Sequence, residues 1–581
     1  MKFIQVARDG IIMERGSPWA KPLKVGKFYL VSDLIHQQLA YIMPDHISKN
    51  VIDIKEVYRE YRGDDLNGKT LLVWRHGGIG DLMFIMPSLR LLKVKYPDSK
   101  IIIGLGGKYI DLYRYVPYVD EIVQLPFDIE TLKMADYHLH FEQIIEGNPR
   151  AEKINAYDLF FSKFKFDPAK IPSHEKIPDI FLTVEEMKWA EERLEQFKVK
   201  ETDILVGLQI AASSPIRSFP DEKTVAIANV ITREENGKII LFGSNGQIDL
   251  AQNIKHSLPI EQHERLILSP EERFSLRQSM AICRHCDLVI APDSAMIHIA
   301  GALRVPILGL YGPFPADLRM RYYYNAVALN ACTPCSPCFT HDHDPCQKGA
   351  PSPCFSLIDI YQIMFAIEYL LEKTCKKSIP TIASLKKSIF NQVIERAKPY
   401  MKGKGIDVGC GFQTYNSEFD ITRIDINPLV NPDKVMNFLH PEFKIDGKVD
   451  YIISSYSINT VNDLINFIAR SDIFLNVGGY IILFVGDSNI IKQASGKDIL
   501  SNYLLDYLKS ELTNDILQSQ LNKFTNMEIV ETDLPIFNDK LKEEAIEIFG
   551  TRHGIFIVLR KTHDIQTEKN KHEKTAQEIR A

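Results

Sequence analysis

A carboxylate stands directly after a glycine turn in the segment VWRHGGIGDLMFIMP. The segment begins as an apolar strand, turns at Gly77, Gly78 and Gly80, and reaches Asp81 where an amphipathic helix is expected to start. Glycines let the backbone approach a ligand closely, and an aspartate at that point can accept a proton from the ligand. Because aspartate is also a good helix cap, Asp81 is either a general base or a cap.

The same arrangement occurs a second time, in CDLVIAPDSAMIHIAGALRVPILGLYGP. A strand ends at Asp293, and a helix begins with Ser294, Ala295 and Met296. Backbone amides and the positive end of the helix dipole at this point suit a phosphate group. His298 follows on the same helix, where it is either part of this site or a hydrogen-bonded core histidine.

A third glycine turn, GIDVGCG, contains Asp407, Gly409 and Gly411. Its glycines would let a nucleotide-like cofactor approach the backbone. Asp425 ends the next predicted strand, from which its carboxylate can bond the hydroxyl groups of a ribose.

Five of the nine cysteines lie in NACTPCSPCFTHDHDPCQKGAPSPCF, between Asn330 and Phe355. C-x-x-C followed by two spaced thiols can supply four tetrahedral ligands, and either Zn²⁺ or iron fits four thiolates. CTPCSPC offers two overlapping C-x-x-C pairs, and His341 or His343 is an alternative to one thiol. Reduced cysteines that hold no metal are the other interpretation.

Composition limits the class of protein. The chain has 581 residues, 69 Lys+Arg against 75 Asp+Glu for a net charge of −6, and 45% hydrophobic residues. That is enough for several hydrophobic cores, and no basic block indicates a nucleic-acid partner. We see no apolar run of the length that a signal peptide or a membrane span needs, so we expect a cytoplasmic protein with reduced cysteines.

Strand, turn and helix alternate in three parts of the chain, which predicts α/β units with parallel sheets. A Pro-rich and charged stretch separates the first two parts, and a Lys/Ser-rich stretch precedes the third. The predicted organisation is a small α+β unit (1–67), two α/β units (68–170 and 171–375, the latter with a Cys-rich loop at 332–354), a linker (376–390), a third α/β unit (391–561) and a disordered tail (562–581).

Two motifs in this order, R-x-G-x-I-G-D followed by P-x-L-x-x-L-K-x-x-x-P, and then D-S-A-x-x-H, resemble glycosyltransferase family nine, the heptosyltransferases that build the lipopolysaccharide core. The resemblance covers roughly Lys69 to Thr374. It implies a GT-B fold, in which 68–170 is the acceptor domain and 171–375 the nucleotide-sugar domain, with the site in the cleft between them. In that family the aspartate matching Asp81 is the proposed catalytic base.

The resemblance also implies the other site residues. Arg217, in QIAASSPIRSFPDEK, stands where the family has a basic residue suited to a diphosphate leaving group, although an exposed structural arginine is the alternative. Ala295 replaces the usual glycine of the donor segment. The donor-binding residues implied are Gly78, Gly80, Gly243, Ser244, Asp249, Asp293, Ser294, Ala295, Met296 and His298. Inverting GT-B enzymes generally need no metal at the reacting centre, so we expect no catalytic metal.

The third α/β unit resembles a class I S-adenosylmethionine-dependent methyltransferase. This implies S-adenosylmethionine as cofactor, bound by Asp407, Gly409, Gly411 and Asp425, unless the unit is a degenerate Rossmann domain kept for contacts. The cysteine loop is similar to the pattern that follows the donor site in many family-nine enzymes. That match implies a structural Zn or Fe site at Cys335, Cys338, Cys346 and Cys354, with Cys332 as an extra cysteine that could replace Cys338.

We therefore expect an inverting glycosyltransferase with a fused methyltransferase-like domain. The implied donor is an ADP-heptose-like nucleotide-sugar, and the implied acceptor is a glycan or lipid-linked lipopolysaccharide precursor, with peripheral contact at the inner membrane. The alternatives are a protein heptosyltransferase of the kind that modifies autotransporters, and a non-catalytic sugar-binding or scaffold protein with a decayed cleft.

Overall fold

The structure is a computed structural model. It describes residues 1–13, 21–146, 148–331, 336, 338–339, 346, 353–356, 358, 360–383, 394–409, 419–425, 432–435, 438, 443–455, 461–486, 527–533 and 554–561. Several features expected from the sequence lie outside these residues: Gly411, Cys332, Cys335, His341, His343, residues 384–390 of the linker and the tail at 562–581. Within the described part of the chain, no helix combines the length and the apolar character that crossing a membrane requires.

The N-terminal unit is a small α+β element that packs against the unit after it. Its elements are β1 (Lys2–Val6), β2 (Ile12–Met13), β3 (Lys21–Pro22), β4 (Phe28–Val31), α1 (Asp33–Ile42) and β5 (Ile47–Asp53). The strands β4, β1 and β5 form an antiparallel sheet in that order. The Leu30 amide donates a hydrogen bond of 2.9 Å to the Phe127 carbonyl, which ties this sheet to the following unit.

A parallel sheet of four strands forms the second unit. Its elements are β6 (Thr70–Trp74), α2 (Ile79–Lys95), β7 (Lys100–Leu105), α3 (Ile110–Tyr113), β8 (Glu121–Gln124), α4 (Ile129–Lys133), β9 (Tyr137–His140) and α5 (Ala156–Lys163). The strand order is β8-β7-β6-β9. The run TLLVW in β6 is apolar throughout because a parallel strand is covered on both faces. The turn into α2 therefore leaves from the carboxyl edge of a central strand.

A larger parallel sheet of six strands forms the third unit. Its elements are α6 (Val184–Gln196), β10 (Ile204–Gln209), α7 (Asp221–Arg233), β11 (Gly237–Phe242), α8 (Ile248–His256), β12 (Leu266–Leu268), α9 (Ser269–Glu272), α10 (Leu276–Arg284), β13 (Leu288–Pro292), α11 (Ala295–Ala302), β14 (Ile307–Tyr311), α12 (Asp317–Met320), β15 (Ala326–Asn330), α13 (Pro353–Ser356) and α14 (Ile360–Cys375). The strand order is β12-β11-β10-β13-β14-β15. The neighbours β10 and β13 lie at the centre, so the loops after them meet at one edge.

The C-terminal unit contains a mixed sheet of seven strands. Its elements are β16 (Lys404–Val408), β17 (Asp420–Asp425), β18 (Lys434–Val435), β19 (Val449–Ser455), a helix over Val461–Phe474, β20 (Leu475–Gly486), β21 (Met527–Asp533) and β22 (Gly554–Lys561). The order is β18-β17-β16-β19-β20-β22-β21. The first five of these strands are parallel, whereas β22 runs antiparallel to both of its neighbours.

Continuous hydrophobic cores join these units. One core runs from β6, α2 and α5 into α11 and β14, and it includes Phe84, Tyr157, Met296 and Tyr323. A second core joins the far face of the six-stranded sheet and α14 to the seven-stranded sheet, where Tyr451 contributes. The two parallel α/β units therefore pack directly against each other. This confirms the expected α/β class with parallel sheets, and the domain boundaries given above stay predictions.

Candidate functional site

Asp81 lies in the first turn of α2 with both carboxylate oxygens engaged. Its Oδ2 accepts a hydrogen bond of 3.3 Å from the Gly78 amide, which caps the helix. Its Oδ1 lies 3.3 Å from a terminal nitrogen of Arg75. The side chain is still 25% exposed, so capping the helix and facing a substrate are compatible here.

Carboxylates and one buried arginine surround this turn. Arg75 directly follows β6, and its terminal nitrogen also donates to Glu146 Oε1 at 2.8 Å. Beside it, both the amide and the ring Nδ1 of His76 contact Glu142 Oε1, at 2.7 and 2.9 Å. Burial acts to raise the pKa of Glu142, but the hydrogen bonds from His76 and the charge of Arg75 outweigh it, so the net shift is downward. Glu142 is therefore an anion at neutral pH.

Sequence reasoning did not select Arg75, His76, Glu142 or Glu146. The sequence did contain a pattern that could have identified the two glutamates, because Glu142 and Glu146 lie in the segment after β9, the strand beside β6. The carboxyl ends of neighbouring parallel strands meet at one edge of a sheet. Polar residues after both strands are therefore expected to lie together.

Two glycines allow the close approach of backbone and side chains at this edge. A Cβ at Gly77 would lie 2.9 Å from Arg75 Nε and 3.1 Å from Asp81 Oδ2. A Cβ at Gly80 would lie 2.8 Å from His298 Cδ2, in the other α/β unit. The glycine turn thus lets the start of α2 touch α11, which brings the two motifs seen in the sequence to one place.

Asp293 follows β13 at the facing edge and is only 6% exposed. Arg217 donates to the Asp293 carbonyl and to its Oδ2, both at 3.4 Å, and to Ser213 Oγ at 2.7 Å. Ser294 is the N-cap residue of α11, but its side chain does not cap the helix. Arg217, Asp293 and the amides at the start of α11 are therefore neighbours, and their role in binding a donor stays a prediction.

His298 is buried between the two α/β units. Its Nδ1 shares a hydrogen bond of 2.6 Å with the Tyr323 hydroxyl, which lies 2.6 Å from the Tyr157 hydroxyl. Its ring packs edge-on against Phe84 of α2, with centroids 4.8 Å apart. Burial lowers its pKa to about 4, partly opposed by the charges of Asp293 and Asp81, so the ring is neutral at pH 7. These contacts agree with the alternative of a hydrogen-bonded core histidine, while the donor-binding role stays a prediction.

A second arginine near this edge was also missed by the sequence. Arg319, on α12, is 7% exposed, and its guanidinium lies 5.3 Å from the centroid of the Phe314 ring. Its charge acts on both His298 and Tyr311, together with that of Arg217. The edge that contains Asp293 is therefore enriched in buried positive charge.

The remaining donor-binding residues are placed differently. Ala295 and Met296 form the start of α11, with Met296 buried. Ser244 follows β11, and its amide bonds Gln247 Oε1 at 2.8 Å. Asp249 is exposed in the first turn of α8. A Cβ at Gly243 would lie 3.0 Å from three side chains, so this glycine serves packing.

The residues selected in the C-terminal unit lie on adjacent strands. Gly409 follows β16 with a φ of +69°, a conformation that glycine adopts without strain. Its amide donates to the Ile424 carbonyl at 2.8 Å, beside Asp425 at the end of β17. Asp407 is fully buried within β16, so its side chain does not face solvent. Gly409 and Asp425 therefore share one sheet edge.

The cysteine loop is described only in part. Cys338 is exposed, Cys346 is half-buried and Cys354 is buried, with its sulfur 2.7 Å from where a Cβ on Gly312 would lie. Among the described residues, no three cysteine, histidine or acidic side chains are grouped as metal ligands. Because Cys335 lies outside those residues, the four-cysteine site stays a prediction.

Two parallel α/β units meet at the carboxyl ends of their strands, where the partly exposed Asp81, the half-buried Arg217 and the buried Arg319 lie near helix amides. This arrangement is typical of two-domain α/β enzymes that bind nucleotides. Residues 156–347 match the model of glycosyltransferase family 9 (heptosyltransferase). These matches and those below support family 9 as the family to which this part of the chain is related, and glycosyltransferase as its class of enzyme.

The chain is 28% identical over 284 residues to lipooligosaccharide heptosyltransferase 2 of Haemophilus influenzae, covering 40% of this chain and 81% of that protein. Among solved structures it resembles the ADP-heptose lps heptosyltransferase II of E. coli (18% identity, TM-score 0.43, 52% of this chain and 99% of the other). It also resembles the N-methyltransferase NodS of Bradyrhizobium japonicum WM9 (11% identity, TM-score 0.20, 32% of this chain and 98% of the other). With TM-scores below 0.5, neither structural likeness bears on what this chain does.

Proposed function

We propose that the first two α/β units form an inverting glycosyltransferase of the GT-B type that moves a heptose-like sugar from a nucleoside-diphosphate donor to an acceptor hydroxyl. The observation that carries this proposal is the contact between Gly80 and His298, which brings the start of α2 against α11. A half-exposed carboxylate, Asp81, thereby faces the edge that contains Arg217 and Asp293.

In the proposed reaction Asp81 accepts the proton of the acceptor hydroxyl as its oxygen attacks the anomeric carbon. A new C–O bond forms on one face, while the C–O bond to the diphosphate breaks on the other, and the nucleoside diphosphate leaves with the electron pair. Arg217 and the amides at the start of α11 stabilise the negative charge that develops on the leaving group. These groups supply positive charge without a divalent cation.

His298 has a different part in this proposal. Since the buried ring is neutral at pH 7, it offers no charge to a diphosphate. Its hydrogen bond to Tyr323 and its packing on Phe84 instead hold α11 against α2. A rigid junction keeps the base and the leaving-group site at a fixed separation, which transfer in a near-attack geometry requires.

Relatedness to a lipooligosaccharide heptosyltransferase supports an ADP-heptose-like donor and a lipopolysaccharide-type acceptor for this chain. A protein acceptor of the autotransporter kind and a non-catalytic sugar-binding role are the alternatives. The full-length protein is incubated with ADP-heptose and heptose-free lipopolysaccharide, and released ADP is measured together with the mass of the acceptor. We expect ADP release that depends on the acceptor and a gain of one heptose.

Three controls separate the alternatives. GDP-mannose in place of ADP-heptose tests the donor, and an autotransporter passenger protein in place of lipopolysaccharide tests the acceptor. Transfer to the protein alone would replace the lipopolysaccharide proposal. No transfer from any nucleotide-sugar, despite ADP binding by calorimetry, would favour the sugar-binding alternative.

For the C-terminal unit we propose S-adenosylmethionine binding and methyl transfer. The sheet order β18-β17-β16-β19-β20-β22-β21, with β22 reversed, supports this because class I methyltransferases have that order. The left-handed turn at Gly409 and the neighbouring Asp425 fit a cofactor at the carboxyl edge, where Gly409 would meet its amino-acid part and Asp425 its ribose. When bound, the cofactor supplies an activated methyl group.

Calorimetry of the full chain with S-adenosylmethionine tests this second activity. We expect binding that Gly409→Arg removes and that Lys402→Ala, at an exposed residue just before β16, leaves unchanged. A folded protein that binds no S-adenosylmethionine would make the unit a degenerate Rossmann domain.

The cysteine loop remains a proposed structural Zn or Fe site with Cys335, Cys338, Cys346 and Cys354 as ligands. Protein purified without chelator should contain about one metal ion per chain, as four thiolates hold one tetrahedral ion. Cys335→Ser combined with Cys338→Ser should remove it, whereas Cys375→Ser on α14 should not. Metal-free protein of full stability would overturn the site.

A further inference from the structure

Arg75 is a fully buried arginine beside the proposed base. Its side chain is 1% exposed, whereas those of Asp81 and Glu146 are 25% and 46% exposed. A buried guanidinium is costly unless acceptors surround it. Its position immediately before the glycine turn therefore needs a reason beyond packing.

Acceptors from three segments fix the guanidinium. One terminal nitrogen donates to the Phe141 carbonyl after β9. The other donates to Glu146 Oε1 at 2.8 Å and lies 3.3 Å from Asp81 Oδ1. The Phe160 ring covers the group, with its centroid 6.0 Å from Cζ. The same nitrogen is therefore shared by two carboxylates, one in the first turn of α2 and one after β9.

The contacts with Arg75 and with the Gly78 amide hold the Asp81 carboxylate in one orientation. Oδ1 faces Arg75, and Oδ2 accepts from the Gly78 amide at 3.3 Å. A Cβ at Gly77 would lie 2.9 Å from Arg75 Nε, so a side chain at that position would displace the arginine. A base is effective only when its oxygen is held in line with the proton that it takes.

We propose that Arg75 is a positioning residue: it orients Asp81 toward the acceptor hydroxyl, and Glu146 competes for the same nitrogen. This inference rests on the proposed function, since it assumes that Asp81 is the base.

Other charged groups also lie near the Asp81 carboxylate. Glu142, paired with His76 after β9, adds a second negative charge near Arg75. From the other unit, His298 on α11 interacts with Asp81 but is neutral, and Arg217 lies behind it at Asp293. Arg75 is therefore the cation in direct contact with Asp81 among the described residues.

The test compares Arg75→Met, Arg75→Lys and Glu146→Gln in the full-length protein with ADP-heptose and heptose-free lipopolysaccharide. We expect Arg75→Met to lower kcat about 10- to 100-fold while the KM for ADP-heptose changes less than about twofold, because only the transition state uses the oriented base.

The two other variants test the same contact. Arg75→Lys keeps a cation beside Asp81 and should restore part of kcat, whereas Glu146→Gln removes the competing carboxylate and should not lower kcat. A loss in Arg75→Met that raises the KM for ADP-heptose as much as it lowers kcat, or that Arg75→Lys does not relieve at all, would leave Arg75 as a packing residue.

A double-mutant cycle separates this inference from the proposed function. If Arg75 acts through Asp81, Arg75→Met should cost nothing further in Asp81→Asn protein. An Asp81→Asn protein of low residual activity that loses a further, equal factor on Arg75→Met overturns the Arg75 role alone, whereas fully active Asp81→Asn overturns both. The thermal midpoints of wild type, the two single variants and the double variant can be measured without an activity assay. Decreases in midpoint that are less than additive support the contact between Arg75 and Asp81, and strictly additive decreases contradict it.

Discussion

The two helix starts that face each other in the glycosyltransferase-like part have opposite electrostatic character. At the start of α2, Asp81, Glu142 and Glu146 surround one buried arginine and reach solvent. At the start of α11, the one carboxylate, Asp293, is buried beside Arg217. Both helices follow a central parallel strand, so the backbone alone does not distinguish them.

Under the proposed function, this difference assigns each edge to one end of a transfer reaction. A partly exposed anion can take a proton from an acceptor, whereas cations and helix amides stabilise a leaving anion. The contact at Gly80 holds the two edges together. Substitutions that remove the anion from the first edge or a cation from the second therefore test whether this electrostatic difference has a function.

The largest expected effect comes from removing the anion at the first edge. Asp81→Asn should lower transfer to acceptor by about 100- to 10,000-fold, the typical contribution of a general base, while ADP binding by calorimetry changes little. Asp45→Asn, at a carboxylate that is 77% exposed in the N-terminal unit, is the control. Unchanged turnover in Asp81→Asn would remove the distinction between the two edges.

Removing a cation from the second edge should have the next largest effect, and of a different kind. Arg217→Met should weaken ADP binding about 10-fold or more, because a hydrogen bond to a charged group is worth about 1.5–3 kcal/mol. Arg62→Met, at an arginine that is 79% exposed, should not weaken it. ADP binding of wild-type strength in Arg217→Met would show that Arg217 serves only its contact with Asp293.

The sequence predicted the positions of these two helix starts because their patterns are local. A carboxylate after a glycine turn at Asp81 and a strand that ends beside Asp293 can be seen in neighbouring residues, and the structure has Asp81 in the first turn of α2 and Asp293 directly after β13. Their juxtaposition and the interdomain contacts of His298 depend on Tyr323, which is 25 residues away in the chain. No local pattern marks that tyrosine. The R-x-G-x-I-G-D motif contains Arg75, but its contact with Glu146, 71 residues away, was missed for the same reason. The roles of these residues stay predictions.

The contact that joins the edges can be broken by one methyl group. Gly80→Ala would place a Cβ 2.8 Å from His298 Cδ2, which α2 or α11 must move to relieve. Overpacking of this kind costs about 1–3 kcal/mol, so we expect a lower thermal midpoint and lower kcat. Gly78→Ala is the matched control, because its Cβ would lie 3.9 Å from Asp81 Oδ2, an ordinary contact. Equal behaviour of the two variants would mean that α2 and α11 are not tightly packed.

The smallest expected effect concerns the charge of His298, the group on which the packing of the two edges depends. Burial lowers its pKa to about 4 in the folded protein, below the value of about 6.5 in an unfolded chain. Protons therefore bind preferentially to the unfolded state, and the stability that neutral His298 permits is fully present above pH 6.5 and is lost as the pH falls toward 4.

For a single group the slope in that window is about 1.4 kcal/mol per pH unit. Thermal or urea unfolding of wild type, His298→Gln and His174→Gln between pH 4.5 and 7.5 measures it, where His174 is a histidine with a 64% exposed side chain. We expect His298→Gln to be less stable at pH 7 but to lose less stability on acidification, because it has no ring to protonate, while His174→Gln follows wild type. Parallel curves for all three proteins would mean that the pKa of His298 is the same in the folded and unfolded states, so that burial between the two units does not hold the ring neutral.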